Sequence, residues 1–244
     1  MAESSLIAVT VDQMREVDRL MVEEYYITLP QMMEHAGRNL AEFSLDWLKN
    51  KQSEKNRFNI AIASGIGNNG GGGMVAARFL VNWRQNVTVI LAGSPEKLKP
   101  VPVNNWKALQ AMDVQIIDAN TAESIQAYGN SDLIIDTIVG YNLMGELRGI
   151  PAEVVKNILH SGKDVISLDV PSGLDATSGD HHETCIRATA TMTLALPKTG
   201  LMMEQAKNYT GDVYVADIGV PPLLYTQMGL TVDDPFQSNS VIKI

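Results

Sequence analysis

Residues Asn59-Ile60-Ala61-Ile62-Ala63-Ser64 run straight into Gly65-Ile66-Gly67-Asn68-Asn69-Gly70-Gly71-Gly72-Gly73, and a helical pattern follows over Met74–Trp83. An apolar run, a turn poor in Cβ atoms and then a helix is how an α/β sheet offers backbone N–H groups and a positive dipole end to an anion. Six of the 19 glycines fall within those nine turn residues. Gly65-x-Gly67-x-x-Gly70 has the spacing of a dinucleotide-binding turn, which alone is a weak signal. An NAD-dependent dehydrogenase carries Asp or Glu at the end of the next strand, to hold the ribose. Here that strand, expected over Val87–Ala92, ends Ile90-Leu91-Ala92-Gly93 without an acid. This argues against an ordinary dehydrogenase.

Outward from that stretch, short Val/Ile/Leu-rich runs recur at Val114–Ile117, Leu133–Asp136, Val165–Val170, Thr191–Leu196 and Val213–Ile218. Helical patterns separate them at Asn104–Met112, Ala122–Tyr128 and Ala152–His160. Such alternation predicts an α/β fold with a mostly parallel sheet covered by helices on both faces. The last two runs leave no room for a helix like the others, so an edge of different connectivity is expected. Two helical patterns come first, as an N-terminal arm. Met14, Val17, Leu20 and Met21 recur at helical spacing. Thr28-Leu29-Pro30-Gln31 then reads as a capping box with Pro in the first turn, starting a helix toward Trp47. Glu34 on that helix is expected to find a cap or an arginine partner. From about residue 222 a polar surface tail is expected, and the whole of 1–244 reads as one domain.

The 244 residues are 45% hydrophobic and 19% charged, enough to bury roughly 70–75% of the unfolded chain's surface in one core. The net charge of −9 excludes nucleic acid and anionic membrane surfaces as bulk partners. One cysteine, Cys185, allows neither an internal disulfide nor a thiolate metal cluster. No signal peptide and no apolar stretch near the roughly 18 residues of a membrane span is visible. A soluble protein of a reducing compartment, the cytoplasm, is expected.

Two carboxylates end buried runs and are followed by glycine-containing loops, where α/β sheets bind ligands. Asp136 precedes Gly140, Gly145 and Gly149, and Asp169 opens Asp169-Val170-Pro171-Ser172-Gly173. Asp118 and Asp217 read instead as caps. His181-His182 reads as a solvated pair, and the 12 methionines as core or interface filler.

Asn68-Asn69-Gly70-Gly71, Asp136 with Gly140, and Asp169-Val170-Pro171-Ser172-Gly173 resemble the signatures of the NAD(P)H-hydrate epimerase family (the YjeF N-terminal domain). Met33-Glu34-His35-Ala36-Gly37 and Pro197-Lys198-Thr199-Gly200 resemble two more of its segments, and the likeness keeps its order from about Val11 to Pro221. The resemblance implies a Rossmann-like three-layer α/β/α sandwich and a homodimer. It implies an isomerase of nicotinamide-nucleotide repair, interconverting R and S forms of hydrated NADH or NADPH, which carry a hydroxyl at C6 of the ring. It further implies Asn69, Asp136 and Ser172 as ligands of a potassium ion. Asn68, Asn69, Gly70, Gly71 and Gly72, the loop Gly140, Tyr141, Asn142, Leu143, Met144, Gly145 and Glu146, and Asp169 would contact the hydrated nucleotide. Asp169 would be the acid/base group. Lys198 reads either as a phosphate or substrate contact or as a surface lysine. A separate NAD(P)H-hydrate dehydratase is the partner such a reaction implies, since no fused one is expected in 244 residues. The family motif continues Asn-Asn-Gly-Gly-Asp-Gly, and Gly72 stands at its Asp. Two readings follow: an epimerase relying on Asp169, or a catalytically degenerate nucleotide-binding or scaffold domain of the same fold.

Overall fold

Apolar side chains that alternate along the first strand set the layering. The computed structural model describes residues 6–119, 121–232, 236 and 239–244. In chain order its elements are α1 (Val11–Glu23), α2 (Leu29–Lys51), β1 (Asn59–Ser64), α3 (Asn68–Asn82), β2 (Asn86–Leu91), α4 (Pro100–Ala111), β3 (Gln115–Asp118) and α5 (Ala122–Asn130). There follow β4 (Leu133–Thr137), α6 (Ile150–Ser161), β5 (Val165–Leu168), β6 (Ala190–Leu194), α7 (Lys207–Thr210), β7 (Asp212–Ala216), α8 (Pro222–Gln227) and β8 (Val241–Lys243). Ile60 and Ile62 pack with α2, α3 and α4, while Ala61 and Ala63 pack with α5 and α6 on the opposite face. The result is a three-layer α/β/α sandwich around a sheet of order β3-β2-β1-β4-β5-β6-β7-β8 among the described residues.

Strands β1 to β7 pair in parallel, and β8 runs antiparallel on β7. The last two expected runs, β6 and β7, therefore pair in parallel like the rest, joined through the short α7, and the antiparallel edge is made by β8, which was not expected. The region expected as a polar tail instead contributes two elements. Leu224 and Tyr225 of α8 are buried beside α1, and β8 closes the sheet edge. Apolar residues in an otherwise polar stretch were enough to dock it.

The N-terminal helices form as their caps dictate. Gln13 and Gln31 each return a side-chain oxygen to the N-cap N–H, of Thr10 at 2.9 Å and of Thr28 at 2.7 Å. Glu34 is paired with Arg78 of α3. Asp118 does not cap α5, because Thr121 does so at 3.0 Å to Ser124 N. Asp217 closes a turn by accepting from Gly219 N at 2.7 Å.

One boundary differs by more than two residues in a way that matters. The helix expected from Met74 begins at Asn68, so Gly70 to Gly73 are its first turns rather than a loop. Contact explains this. A Cβ on Gly70 would lie 1.9 Å from Gly65 O, and one on Gly73 would lie 2.1 Å from Thr137 Oγ1. Glycine here lets α3 press against the end of β1 and against β4. Strands β5 and β6 also stop earlier than expected, because Asp169 (φ 69°) and Ala195 (φ 63°) turn into the left-handed region.

Gly70→Ala should lower unfolding stability by about 1–3 kcal/mol in chemical denaturation, because the clash is with backbone. Gly129→Ala, on α5 with open space around its Cβ position, should be neutral or stabilising by up to about 1 kcal/mol.

Candidate active site

The residues following β1, β2, β4, β5 and β6 line a cleft of about 590 Å³ at the carboxyl ends of the strands. Its position is the crossover between β1 and β4, where the strand order reverses and α/β sheets take their ligands. Met14, Leu29, Met32 and Met33 of the N-terminal helices supply an apolar wall. The first internal bond of α3 runs from Gly71 N to Gly67 O at 3.0 Å. The N–H groups of the preceding turn are thus free of helix partners, and Asn68 and Asn69 present that end to the cleft.

Asp169 is 4% exposed and sits on left-handed backbone, a conformation Asp tolerates better than most residues. Its Oδ1 accepts from Lys198 Nζ at 2.6 Å and its Oδ2 from Tyr141 N at 2.8 Å. Lys198 is fully buried. Its ammonium also donates to Thr193 Oγ1 at 3.2 Å and Leu194 O at 2.9 Å, which uses all three of its protons. The surface-lysine reading is therefore overturned, and Lys198 has no proton left to give a phosphate. A Cβ on Gly140 would lie 2.6 Å from Asp169 Oδ2 and 3.2 Å from Asn69 Oδ1. Asn69, Gly140 and Asp169 thus converge on one point.

Asp136 and Ser172 form a second centre beneath the first. The Asp136 carboxylate is completely buried and accepts from Ser172 Oγ (2.7 Å), Ser172 N (2.9 Å), Ser167 Oγ (2.8 Å) and Ile138 N (3.2 Å). Among the described residues no basic side chain is paired with it. Burial raises its pKa above the usual carboxylate range, against the pull of those hydrogen bonds. Burial, with Asp136 nearby, also pushes the Cys185 thiol up to about 12. The side-chain amide of Asn69 donates to Leu168 O at 3.3 Å, one residue before Asp169.

The remaining expected residues divide. Asn68, Gly72, Tyr141 and Asn142 line the cleft. Gly70 and Gly71 are buried within α3 and serve packing, Gly71 against Met33. Leu143 packs against the layer of α5 and α6, whereas Met144 is 86% exposed; Gly145 and Glu146 do not line the cleft either. His181 stacks on Tyr209 at 4.2 Å. Among the described residues no cluster of three or more His, Cys, Asp or Glu could hold a metal, and no helix is long and apolar enough to cross a membrane.

Sequence reasoning passed over Asp18. It lines the cleft and accepts from Tyr141 Oη at 2.5 Å, and Arg15 donates to Asn142 Oδ1 at 3.0 Å. Helix α1 thereby holds the loop whose Tyr141 N–H contacts Asp169. Burial raises the Asp18 pKa, with the Tyr141 hydrogen bond opposing. The sequence offered only its place beside Val17 within the apolar stripe of α1, and no chemical signal.

Residues 29–200 match the family model described as "YjeF-related protein N-terminus". The chain is 37% identical over 237 residues to an NAD(P)H-hydrate epimerase of Dehalogenimonas lykanthroporepellens, covering 97% of this chain and 92% of the relative. It is 36% identical to a bifunctional NAD(P)H-hydrate repair enzyme of Moorella thermoacetica, over 88% of this chain but 41% of that one. The crystal structure of yeast ynu0 superposes with a TM-score of 0.84 at 22% identity, covering 98% of this chain and 100% of that one. That likeness concerns the fold.

Lys198→Met should destabilise the protein by about 3–5 kcal/mol, since it strands a buried carboxylate. Adding Asp169→Asn should recover part of that loss. A double-mutant cycle by urea denaturation measures both; additive effects would mean that the two groups do not act as a pair.

Proposed function

The chain belongs to the YjeF-related protein N-terminus family, and from that premise we propose that it is an NAD(P)H-hydrate epimerase, interconverting the R and S forms of hydrated NADH and NADPH. The observation that carries the reading is Asp169, a carboxylate fixed at the mouth of the sheet by Lys198 and Tyr141 N–H beside the free end of α3. Relatives named as epimerases and repair enzymes favour turnover over the scaffold alternative.

The reacting carbon, C6, bears a hydroxyl and the ring nitrogen. Its configuration inverts when the hemiaminal opens or loses water and closes again on the other face. Both routes need one group that takes and returns a proton within about 2.6–3.2 Å of the hydroxyl. Asp169 is that group. Lys198 keeps a positive charge against its Oδ1, and Tyr141 N–H fixes Oδ2, so the carboxylate does not rotate away. The N–H groups of Asn68 and Asn69 bind the pyrophosphate at the positive end of α3. Asn142 and Gly140 border the ring site, and the apolar wall from α1 and α2 excludes water.

Asn69, Asp136 and Ser172 would hold a potassium ion. The donors are all oxygens, which suits a hard monovalent cation, and a fully buried carboxylate without a basic partner among the described residues calls for one. Bound there, the ion would neutralise Asp136 and brace the loops after β4 and β5. We further place the enzyme in the cytoplasm as a homodimer, working alongside an NAD(P)H-hydrate dehydratase activity; the bifunctional relatives are matched over about two-fifths of their length.

Purified protein should accelerate R/S equilibration of hydrated NADH, followed by chromatography of the two epimers in potassium buffer. Asp169→Asn should reduce kcat by about 10²–10⁴-fold. A wild-type rate equal to the uncatalysed one would refute the proposal.

The cation has its own signature. Because the folded pKa of Asp136 is raised, its ionisation takes stability away as pH climbs from the ordinary carboxylate range toward the folded value. Potassium should return that stability at neutral pH, by about 2.7 kcal/mol at a hundredfold excess over Kd. The gain in Tm over tetramethylammonium at equal ionic strength should shrink as pH falls through the raised folded value, before the ordinary carboxylate range is reached, and vanish in Asp136→Asn.

A further inference from the structure

The cleft is electrically lopsided. Its acidic lining residues, Asp18 and Asp169, lie with Lys198 on the side of α1, β5 and β6, and Lys198 is spent on Asp169. Across the crossover, after β2, the lining is basic: Lys97 and Lys99 border the cleft, and among the described residues neither ammonium is in an ion pair. In a chain of net charge −9, two cations outside any ion pair among the described residues, at a concave site, mark where an anion is drawn in.

Their place is fixed by backbone. Lys99 N donates to Ile66 O at 3.0 Å, tying the start of α4 to the glycine turn. A Cβ on Gly93 would come 2.5 Å from Ile66 Cγ2, so the loop after β2 lies directly against that turn. The first acid after β2 is Glu96. It accepts from the Ser94 hydroxyl and does not line the cleft. The residue that would hold a free ribose 2′-hydroxyl is missing there, and lysines stand in its neighbourhood.

Direction follows from chemistry. With Asp169 beyond β5 acting on the nicotinamide ring, and the pyrophosphate on α3, the adenosine half falls on the other side of the crossover, over β2. In doubly wound sheets an acid after this strand holds the 2′-hydroxyl, whereas a basic residue accommodates a 2′-phosphate. We propose that Lys97 and Lys99 bind the 2′-phosphate of the adenosine ribose, so that hydrated NADPH is preferred over hydrated NADH. This rests on the epimerase reading above.

The test compares kcat/KM for the two hydrates, in wild type and in the Lys97→Ala/Lys99→Ala variant of the full chain. Wild type should favour hydrated NADPH by about tenfold or more, the size of one charge-assisted hydrogen bond. The preference should lie in KM and disappear in the variant. A binding arm is independent of turnover. NADP⁺ should raise Tm more than NAD⁺ at equal concentration, and the variant should lose that difference. Turnover of both hydrates without preference would overturn this inference and leave the epimerase standing. Turnover of neither, with the NADP⁺ preference intact and lysine-dependent, would overturn the epimerase reading and leave the 2′-phosphate site standing. Equal Tm shifts by NADP⁺ and NAD⁺ in wild type, or a preference unchanged in the variant, would overturn the inference outright.

Discussion

Helix α3 lies closer to its neighbours than side chains normally permit, and the cleft is shaped by that approach. A Cβ on Gly37 of α2 would sit 2.4 Å from the Cβ of Val75, and those on Gly70 and Gly73 would strike β1's end and Thr137. Each glycine in a helix interior costs about 1 kcal/mol relative to alanine. Four in succession therefore oppose the helix by about 4 kcal/mol, an amount local preference cannot recover. Tertiary contact recovers it: Met74, Val75, Ala76, Ala77 and Leu80 are all fully buried against α2, α4 and the sheet. The helix starts where packing needs it to, and its first turn is thereby aimed into the cleft.

Two carboxylates end neighbouring parallel strands, and their surroundings give them opposite characters. Asp136 is met by hydroxyls and amides and, among the described residues, has no cation paired with it. Asp169 is met by Lys198, itself buried. The difference traces to the ends of β5 and β6. Asp169 and Ala195 both take left-handed backbone, at a cost of roughly 1–2 kcal/mol each. Those turns bring the Asp169 carboxylate and the segment carrying Lys198 together. The buried pair is thus assembled by strain, and strain of this kind collects where a side chain must be aimed.

Much of this was legible in the amino-acid order. Strand β1 falls at its expected bounds, and the other parallel strands fall within two residues of theirs, because unbroken Val/Ile/Leu runs have no other place to go in a covered sheet. The apolar spacing of Met14, Val17, Leu20 and Met21 announced α1, and the capping box at Thr28 announced α2. What the order concealed were effects of contact between distant segments. Glycines read as a loop because their helical role depends on Thr137, Met33 and Gly65 O, none of which is local to the whole set. Lys198 read as a phosphate or substrate contact or as a surface lysine, and not as the partner of Asp169, because that partner lies 29 positions away. Asp18 gave no chemical signal, since its link to Tyr141 spans 123 positions. Leu224, Tyr225 and Val241 to Lys243 looked like tail because β8 is only three residues long.

Gly72 shows how one position constrains the chemistry. It lines the cleft, and a Cβ there would meet Leu168 Cδ2 at 2.8 Å. In this chain the Leu168 side chain takes up the space beside the Gly72 Cα. Among the described residues, Asp18 and Asp169 are the carboxylates of the cleft lining. Asp18 is committed to the Tyr141 hydroxyl, and Tyr141 in turn holds Asp169 through its backbone N–H. The two acids are therefore not alternatives but consecutive members of one chain of contacts, with Lys198 at its far end. Helix α1, the loop after β4 and the turn after β6 all bear on the orientation of the Asp169 carboxylate.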